Sequence, residues 1–201
     1  MPIQEDSLRT QILHAAIELY YKFGLKKVAM DDIAKAIGKS RSSLYYYYKN
    51  RDEVFQAVLH NLINEVIEKI NCSIHQEANS IEKLRAFCIA KVNTNNEKKA
   101  VFTAMELGMS SEERSAHQKI ILKFHYLLME KEAHLLQSII DTGIIAQDIR
   151  SLTLQEQESF KFIVQTSIRG IRREMSHDND YGKLDIIVNT FIEMISPWLK
   201  P

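Results

Sequence analysis

The densest run of chemically capable side chains is Ser40-Arg-Ser-Ser-Leu44-Tyr-Tyr-Tyr-Tyr48-Lys49-Asn-Arg51. It offers one guanidinium beside small hydroxyls, a row of phenols and two further cations. Arg41, with only Ser42 and Ser43 beside it, meets no steric shield. From the first turn of a helix it can donate two parallel hydrogen bonds to a guanine edge. Tyr hydroxyls, Lys49 and Arg51 suit phosphate oxygens, contacts that position a reader without specifying a sequence. At about 100° per residue, Leu44 and Tyr48 share one side of that helix. Ser42, Ser43 and Tyr46 fall on the other side, with Tyr45 and Tyr47 on the flanks. The inner pair would hold the helix to its scaffold, leaving a small, polar outer face.

Other groupings carry less. Cys72 and His75 are three residues apart, half a metal site at most, and such a lone pair is more often structural. His117, His125 and His134 do not share a helix face. No Gly-rich phosphate loop, Ser/His/Asp order or zinc-protease motif occurs. The expectation is therefore no catalytic residue, no metal and no cofactor. The two cysteines, Cys72 and Cys88, cannot form a disulfide framework and suit a reducing compartment. No run of 18 apolar residues exists, and residues 1–10 lack an apolar signal core. A cytoplasmic chain without a membrane span is expected.

The elements that position the run of residues 40–51 read as helices. The chain has 201 residues, 45% hydrophobic and 26% charged, with 6 Gly and 3 Pro. So few turn residues argue for long helices in an all-α fold. Ile12, Ala15, Ala16, Leu19 and Phe23 form one helical stripe, with Asp6 or Ser7 as cap and Gly24 as stop. A short second helix spans roughly 30–37, ends at Gly38, and is followed by a third, roughly 41–48, capped by Ser40. Asn50-Arg-Asp-Glu53, Ser110-Ser-Glu-Glu113 and Thr153-Leu-Gln-Glu156 are capping-box patterns opening helices at about 51, 110 and 153. Ser80 could cap a helix to about 95, another covers about 99–107, and the last spans about 183–199. Nine helices result, with Gly143 just past the seventh. Residues 1–52 hold nine Lys/Arg and six Asp/Glu, a net of +3, so the remainder carries −3 in a chain whose formal charge is zero. That asymmetry hints at one segment meeting an anion.

Three short helices with a tight turn between the second and third suggest a helix-turn-helix. In the order and types of Ile12-Leu13-x-Ala15-Ala16-x-x-Leu19, Gly24, Met30-Asp-Asp-Ile33-Ala34-x-x-Ile37-Gly38 and Ser40 through Val54, the chain resembles the tetracycline-repressor family of bacterial transcription factors. Two residues depart from that pattern. Ala29 stands where the family usually has a capping, phosphate-binding Ser or Thr. Lys39 replaces an apolar turn residue, adding a charge near DNA or merely a solvated lysine. The resemblance implies a DNA-binding domain, 1–52, with Ser40, Arg41, Ser42, Ser43, Tyr45, Tyr46, Tyr47, Lys49 and Arg51 at double-stranded DNA. It also implies a ligand-binding and dimerisation domain, 53–201.

The eighth helix carries an unbroken apolar stripe, and the ninth is apolar on more than one face, which calls for cover on both sides. Val164, Ser167, Ile168, Ile171, Ile187, Phe191, Met194 and Trp198 are the candidate homodimer interface. Candidate lining residues for an effector pocket, which the resemblance implies, are Phe87, Phe102, Met105, Phe124, His125, Tyr126 and Met129. Any one of them could instead be ordinary core. The whole reads as a homodimeric repressor released from a palindromic operator by a small molecule. The rivals are an activator or architectural DNA binder, and a small-molecule carrier or enzyme with a vestigial head.

Overall fold

A computed structural model describes the backbone of residues 2–106, 108–178 and 180–201, and the side chains of 7–94, 106, 108–177 and 180–201. Eight α-helices run through the described residues: α1 (Pro2–Phe23), α2 (Met30–Ala36), α3 (Arg41–Tyr47), α4 (Arg51–His75), α5 (Ser80–Met105), α6 (Ser111–Ile145), α7 (Leu154–Asp178) and α8 (Leu184–Leu199). The count is one below nine because the helices expected at about 80–95 and 99–107 are a single α5. No Gly or Pro lies between them, and the low helix propensity of two asparagines costs only about 0.5 kcal/mol each.

Contacts divide the chain into two compact units, Met1–Asn64 with Lys98–Phe124, and Glu65–Glu97 with His125–Pro201. A boundary at 52/53 is not where the chain divides, because α4 is continuous from Arg51 and its first half belongs to the first unit.

In the first unit, α1 turns Ile12, Ala16 and Tyr20 inward, a spacing of four that keeps one helix face in the core. Gly24, at φ 81°, ends it in the left-handed region that glycine enters without strain. A 3-10 turn, Leu25–Lys27, leads to α2, which buries Met30, Ile33 and Ala34. Gly38, at φ 64°, makes the tight turn into α3. Leu44 and Tyr48 are buried beneath α3, and Tyr20 meets Phe55 edge-on at 6.2 Å.

Two of the three capping boxes close, and the third does so in half. Asn50 Oδ1 accepts from Glu53 N–H at 2.9 Å, while the Glu53 carboxylate accepts from the N–H of Lys49, one residue before the cap, at 2.8 Å. Ser110 and Glu113 exchange bonds of 3.3 and 2.8 Å, and Thr153 and Glu156 do the same at 3.3 and 2.8 Å. These satisfy N–H groups that have no partner within the helix. Two expectations shift. The cap of α5 is Asn79, whose side chain accepts from Glu82 N–H at 3.0 Å. Ser80 instead donates its backbone N–H and its hydroxyl to Asp148, at 3.1 and 3.2 Å. Nor does α6 stop before Gly143. It runs to Ile145, and Gln147 takes the left-handed conformation beyond it. Gly143 is there for space: a Cβ would stand 2.6 Å from both Ile149 Cδ1 and Ser80 Oγ.

The core of the second unit draws Ile70 and Ile74 from α4, Leu84, Phe87, Cys88 and Val92 from α5, Leu136, Ile139 and Ile140 from α6, Val164 and Ile168 from α7, and Val188 and Ile192 from α8. A buried ion pair crosses it, Lys91 Nζ to Glu132 Oε2 at 2.6 Å, both side chains at most 6% exposed. Gln165 adds a bond of 2.7 Å to the Met129 carbonyl. Such a pair costs desolvation and is held by its geometry.

Candidate nucleic-acid interface

The turn between α2 and α3 sets the site. Ser40 is in extended conformation and its hydroxyl accepts from Ser43 N–H at 3.2 Å, capping α3. The Ser40 and Ser43 hydroxyls also share a hydrogen bond of 2.9 Å; Ser40 and Ser42 are exposed and Ser43 is half-buried. Ala29 caps α2 with no side chain. Asp32 compensates in part, its carboxylate accepting from Ala29 N–H at 2.9 Å.

Arg41, in the first turn of α3, is exposed yet held. Its Nε lies 3.1 Å from Asp31 Oδ1, its Nη1 lies 3.4 Å from Oδ2, and Nη2 donates to the Tyr45 hydroxyl at 3.3 Å. The guanidinium also sits over the Tyr45 ring, 5.3 Å from the centroid. Tyr45's hydrogen bond, then Asp31's charge, raises the already high pKa of Arg41. Tyr46 projects from the outer face, 75% exposed. Tyr47 is half-buried, edge-on to Tyr46 at 5.1 Å, with the Arg9 guanidinium 5.8 Å from its ring. Burial raises the Tyr48 phenol, which stays neutral beneath the helix. Lys49 is exposed beyond α3. Arg51 is exposed too, but one arm donates to the Lys26 carbonyl at 3.1 Å, tying the start of α4 to the 3-10 turn. The residues expected at DNA therefore lie in one short stretch, with Ser42, Tyr45, Tyr46, Arg41 and Lys49 open to solvent. Sequence reasoning missed Asp31 as Arg41's partner and Arg9 at Tyr47. Neither spacing announces itself in a chain read linearly.

The candidate pocket residues scatter. Phe87 is fully buried in the core of the second unit. Phe124 falls in the first unit, edge-on to His60 at 4.8 Å. Tyr126 is 63% exposed and faces solvent, the flank of α6 opposite the core. His125 faces Arg169, Nε2 to Nη1 at 3.2 Å. Burial and then the Arg169 charge lower its pKa. Met129 Sδ lies 3.5 Å from the same guanidinium. The side chains of Phe102 and Met105 lie outside the described residues. None of the other five lines a described cavity. One such groove, about 740 Å³, includes Glu68, Cys72, Ala86, Ile89 and Ala90 in its lining. Another, about 460 Å³, includes Phe160, Ile163, Met194, Ile195 and Trp198.

The two candidate interface helices also sort themselves. Val164 and Ile168 are fully buried in their own unit's core and cannot face a partner. The stripe of α7 that holds them is the intramolecular side of the helix. Ser167 and Ile171 are half-buried, and Phe162 and Ile163 are the exposed apolar residues beside them. On α8, Ile187, Met194 and Trp198 are exposed and Phe191 half-buried, one stripe at helical spacing.

Comparison with known proteins bears on this geometry. Residues 12–58 match the profile of bacterial regulatory proteins of the tetR family. Over 191 residues, 92% of each chain, the protein is 26% identical to the fatty acid metabolism regulator protein of Bacillus subtilis (strain 168). Its fold is similar to that of the Bacillus subtilis transcriptional regulator FadR solved in complex with stearoyl-CoA, at TM-score 0.61, with 18% identity over 93% of this chain and 97% of that one. It is similar also to a TetR family regulator from Marinobacter aquaeolei VT8, at TM-score 0.57, with 20% identity over 99% and 98% of the chains. With a capped, outward-facing α3 behind a glycine turn, a head at residues 12–58 that matches the tetR family of bacterial regulatory proteins and a regulator aligned along nearly the whole chain, the protein is a DNA-binding transcriptional regulator with a tetR-type head.

Proposed function

We infer that the protein is a homodimeric repressor, acting in the cytoplasm, whose paired heads grip a palindromic operator and let go when a long-chain acyl-CoA binds. The observation that carries the effector class is the alignment with a fatty acid metabolism regulator along 92% of both chains, joined by the fold shared with a regulator solved with stearoyl-CoA. Regulation rather than catalysis is the reading that these relatives support. The heads contact DNA through Arg41, Ser42, Tyr45, Tyr46 and Lys49. Pairing through α8 is supported by the exposed stripe of Ile187, Met194 and Trp198 beside the apolar groove at Phe160 and Ile163, surface that a monomer would leave in water.

Release requires the acyl-CoA to favour the conformation with the lower DNA affinity, and linkage makes the effect reciprocal. The test is a titration of the protein–operator complex, followed by fluorescence anisotropy, with stearoyl-CoA, with coenzyme A and with stearate. Release by stearoyl-CoA at micromolar concentration, with coenzyme A inactive, is the expected result. Indifference of the complex to all three would overturn the effector class. Tighter binding with acyl-CoA would overturn the repressor-release scheme.

A further inference from the structure

We propose that Asp31 is a specificity-determining positioning residue: it holds Arg41 toward the bases and penalises its use as a general phosphate contact. This rests on the reading of Arg41 as a base-contacting residue. Two adjacent carboxylates open α2, and they do different things. Asp32 accepts from the Ala29 N–H and caps the helix, so Asp31 is not needed for the cap. Its carboxylate reaches across the turn to Arg41, at 3.1 Å from Nε and 3.4 Å from Nη1.

The consequences follow from donor counting. A guanidinium has five N–H donors in a rigid fork. Asp31 Oδ2 accepts from one N–H of Nη1, with Oδ1 set beside Nε as a counter-charge, and Tyr45 takes one N–H of Nη2. One N–H on each terminal nitrogen is left, and two donors are what guanine O6 and N7 accept. The rotamer freedom of a long side chain is thereby reduced before DNA arrives, rather than on binding.

The second consequence concerns the wrong partner. Asp31 Oδ1 is covered from solvent and has no hydrogen-bond donor among the described residues. The Arg41 charge is its nearest compensation. If Arg41 swings away to a phosphate, the half-exposed Asp31 carboxylate is left without its counter-charge, close to a polyanion. Specificity is a difference of affinities, and an unpaired charge in the competing state widens it. In the base-contacting state Arg41 keeps Asp31, and the penalty does not arise.

The test compares wild type, Asp31→Asn, Asp31→Glu, Arg41→Ala and the Asp31→Asn/Arg41→Ala pair on the operator duplex, on all its single-base variants and on a random-sequence duplex. A bidentate guanine contact discriminates by roughly 5- to 150-fold at its base pair. Arg41→Ala should abolish that preference in each half-site. Asp31→Asn should erode the same preference by at least about threefold, and raise affinity for the random duplex by about two- to fivefold at low salt. Asp31→Glu should retain part of the preference, and Asp31→Asn should change no preference in the Arg41→Ala background. Thermal unfolding of Asp31→Asn should stay near wild type, because an exposed ion pair contributes little. Loss of the preference in Arg41→Ala but not in Asp31→Asn would overturn the role of Asp31 alone. If Arg41→Ala keeps every preference, the base-contacting role of Arg41 falls, and that of Asp31 with it.

Discussion

Lys49 and Arg41 are both cations beside the same helix, yet their surroundings give them different work. Lys49 is exposed, and an ammonium on a flexible stem is a point charge suited to a phosphate. Arg41 is anchored by Asp31 and Tyr45. Lys49→Ala should therefore weaken binding to every sequence alike. The slope of log K against log salt should flatten by about 0.9 per lost phosphate contact in each head. An unchanged slope, measured by anisotropy across a salt series, would remove Lys49 from the phosphate contacts. At this scale the sequence was informative wherever a side chain's direction follows from helical spacing. Leu44 and Tyr48 turn inward and Tyr46 outward, as the wheel requires. The tether from Asp31 to Arg41 was not legible, because ten residues and a turn separate the two and only the angle between α2 and α3 brings them together.

At the scale of elements, local signals were legible and interrupted patterns misled. Each capping box is a four-residue event, so those at Ser110 and Thr153, and the side-chain cap at Asn50, could be read directly. Ending α6 before Gly143 failed for a tertiary reason: the glycine makes room for Ile149 and Ser80 and does not terminate the helix. The cap at Ser110 has a consequence for stability against pH. The Ser110 N–H, first, and the Lys26 ammonium at 2.9 Å lower the Glu113 carboxyl to about 2, from an ordinary 4.5. A lowered pKa stabilises the folded state above the ordinary value, and that contribution disappears as pH falls toward the folded-state value. Glu113→Gln should therefore melt below wild type at pH 7, with the gap closing between about pH 4.5 and 2. A gap that is the same at pH 7 and pH 2.5, by circular dichroism melts, would contradict the assignment.

On the scale of the molecule, the apolar faces of α7 and α8 show how far pattern reading goes. In the sequence α7 shows one apolar stripe and α8 is apolar on more than one side. Which side faces the core was not legible, because it depends on α4, α5 and α6 as much as on α7. The core takes Val164 and Ile168 and leaves Phe162 and Ile163 outside. Pocket linings are hard to read from a linear chain for the same reason, since they converge from helices distant in sequence. For the dimer, Met194 is the cleanest probe. Phe191 also packs on the core, and Trp198 stacks on Phe160 at 5.8 Å with Arg150 4.5 Å from its ring. Met194 is 74% exposed, so Met194→Asp should leave the fold intact and place a charge in an interface that would bury roughly 2,000–5,000 Å². Sedimentation should show a wild-type dimer and a folded Met194→Asp monomer. A wild-type monomer at micromolar concentration would refute pairing through α8.

The central claim is that two heads of this family type read DNA together, and selection of bound duplexes from a random pool tests it most directly. The account predicts enrichment of a two-fold-symmetric site. Its half-sites should be centred about 34 Å apart or somewhat more, as successive major grooves require. Binding to the enriched site should weaken steeply with salt. A pool that emerges without a symmetric site, or binding that ignores salt, would contradict it.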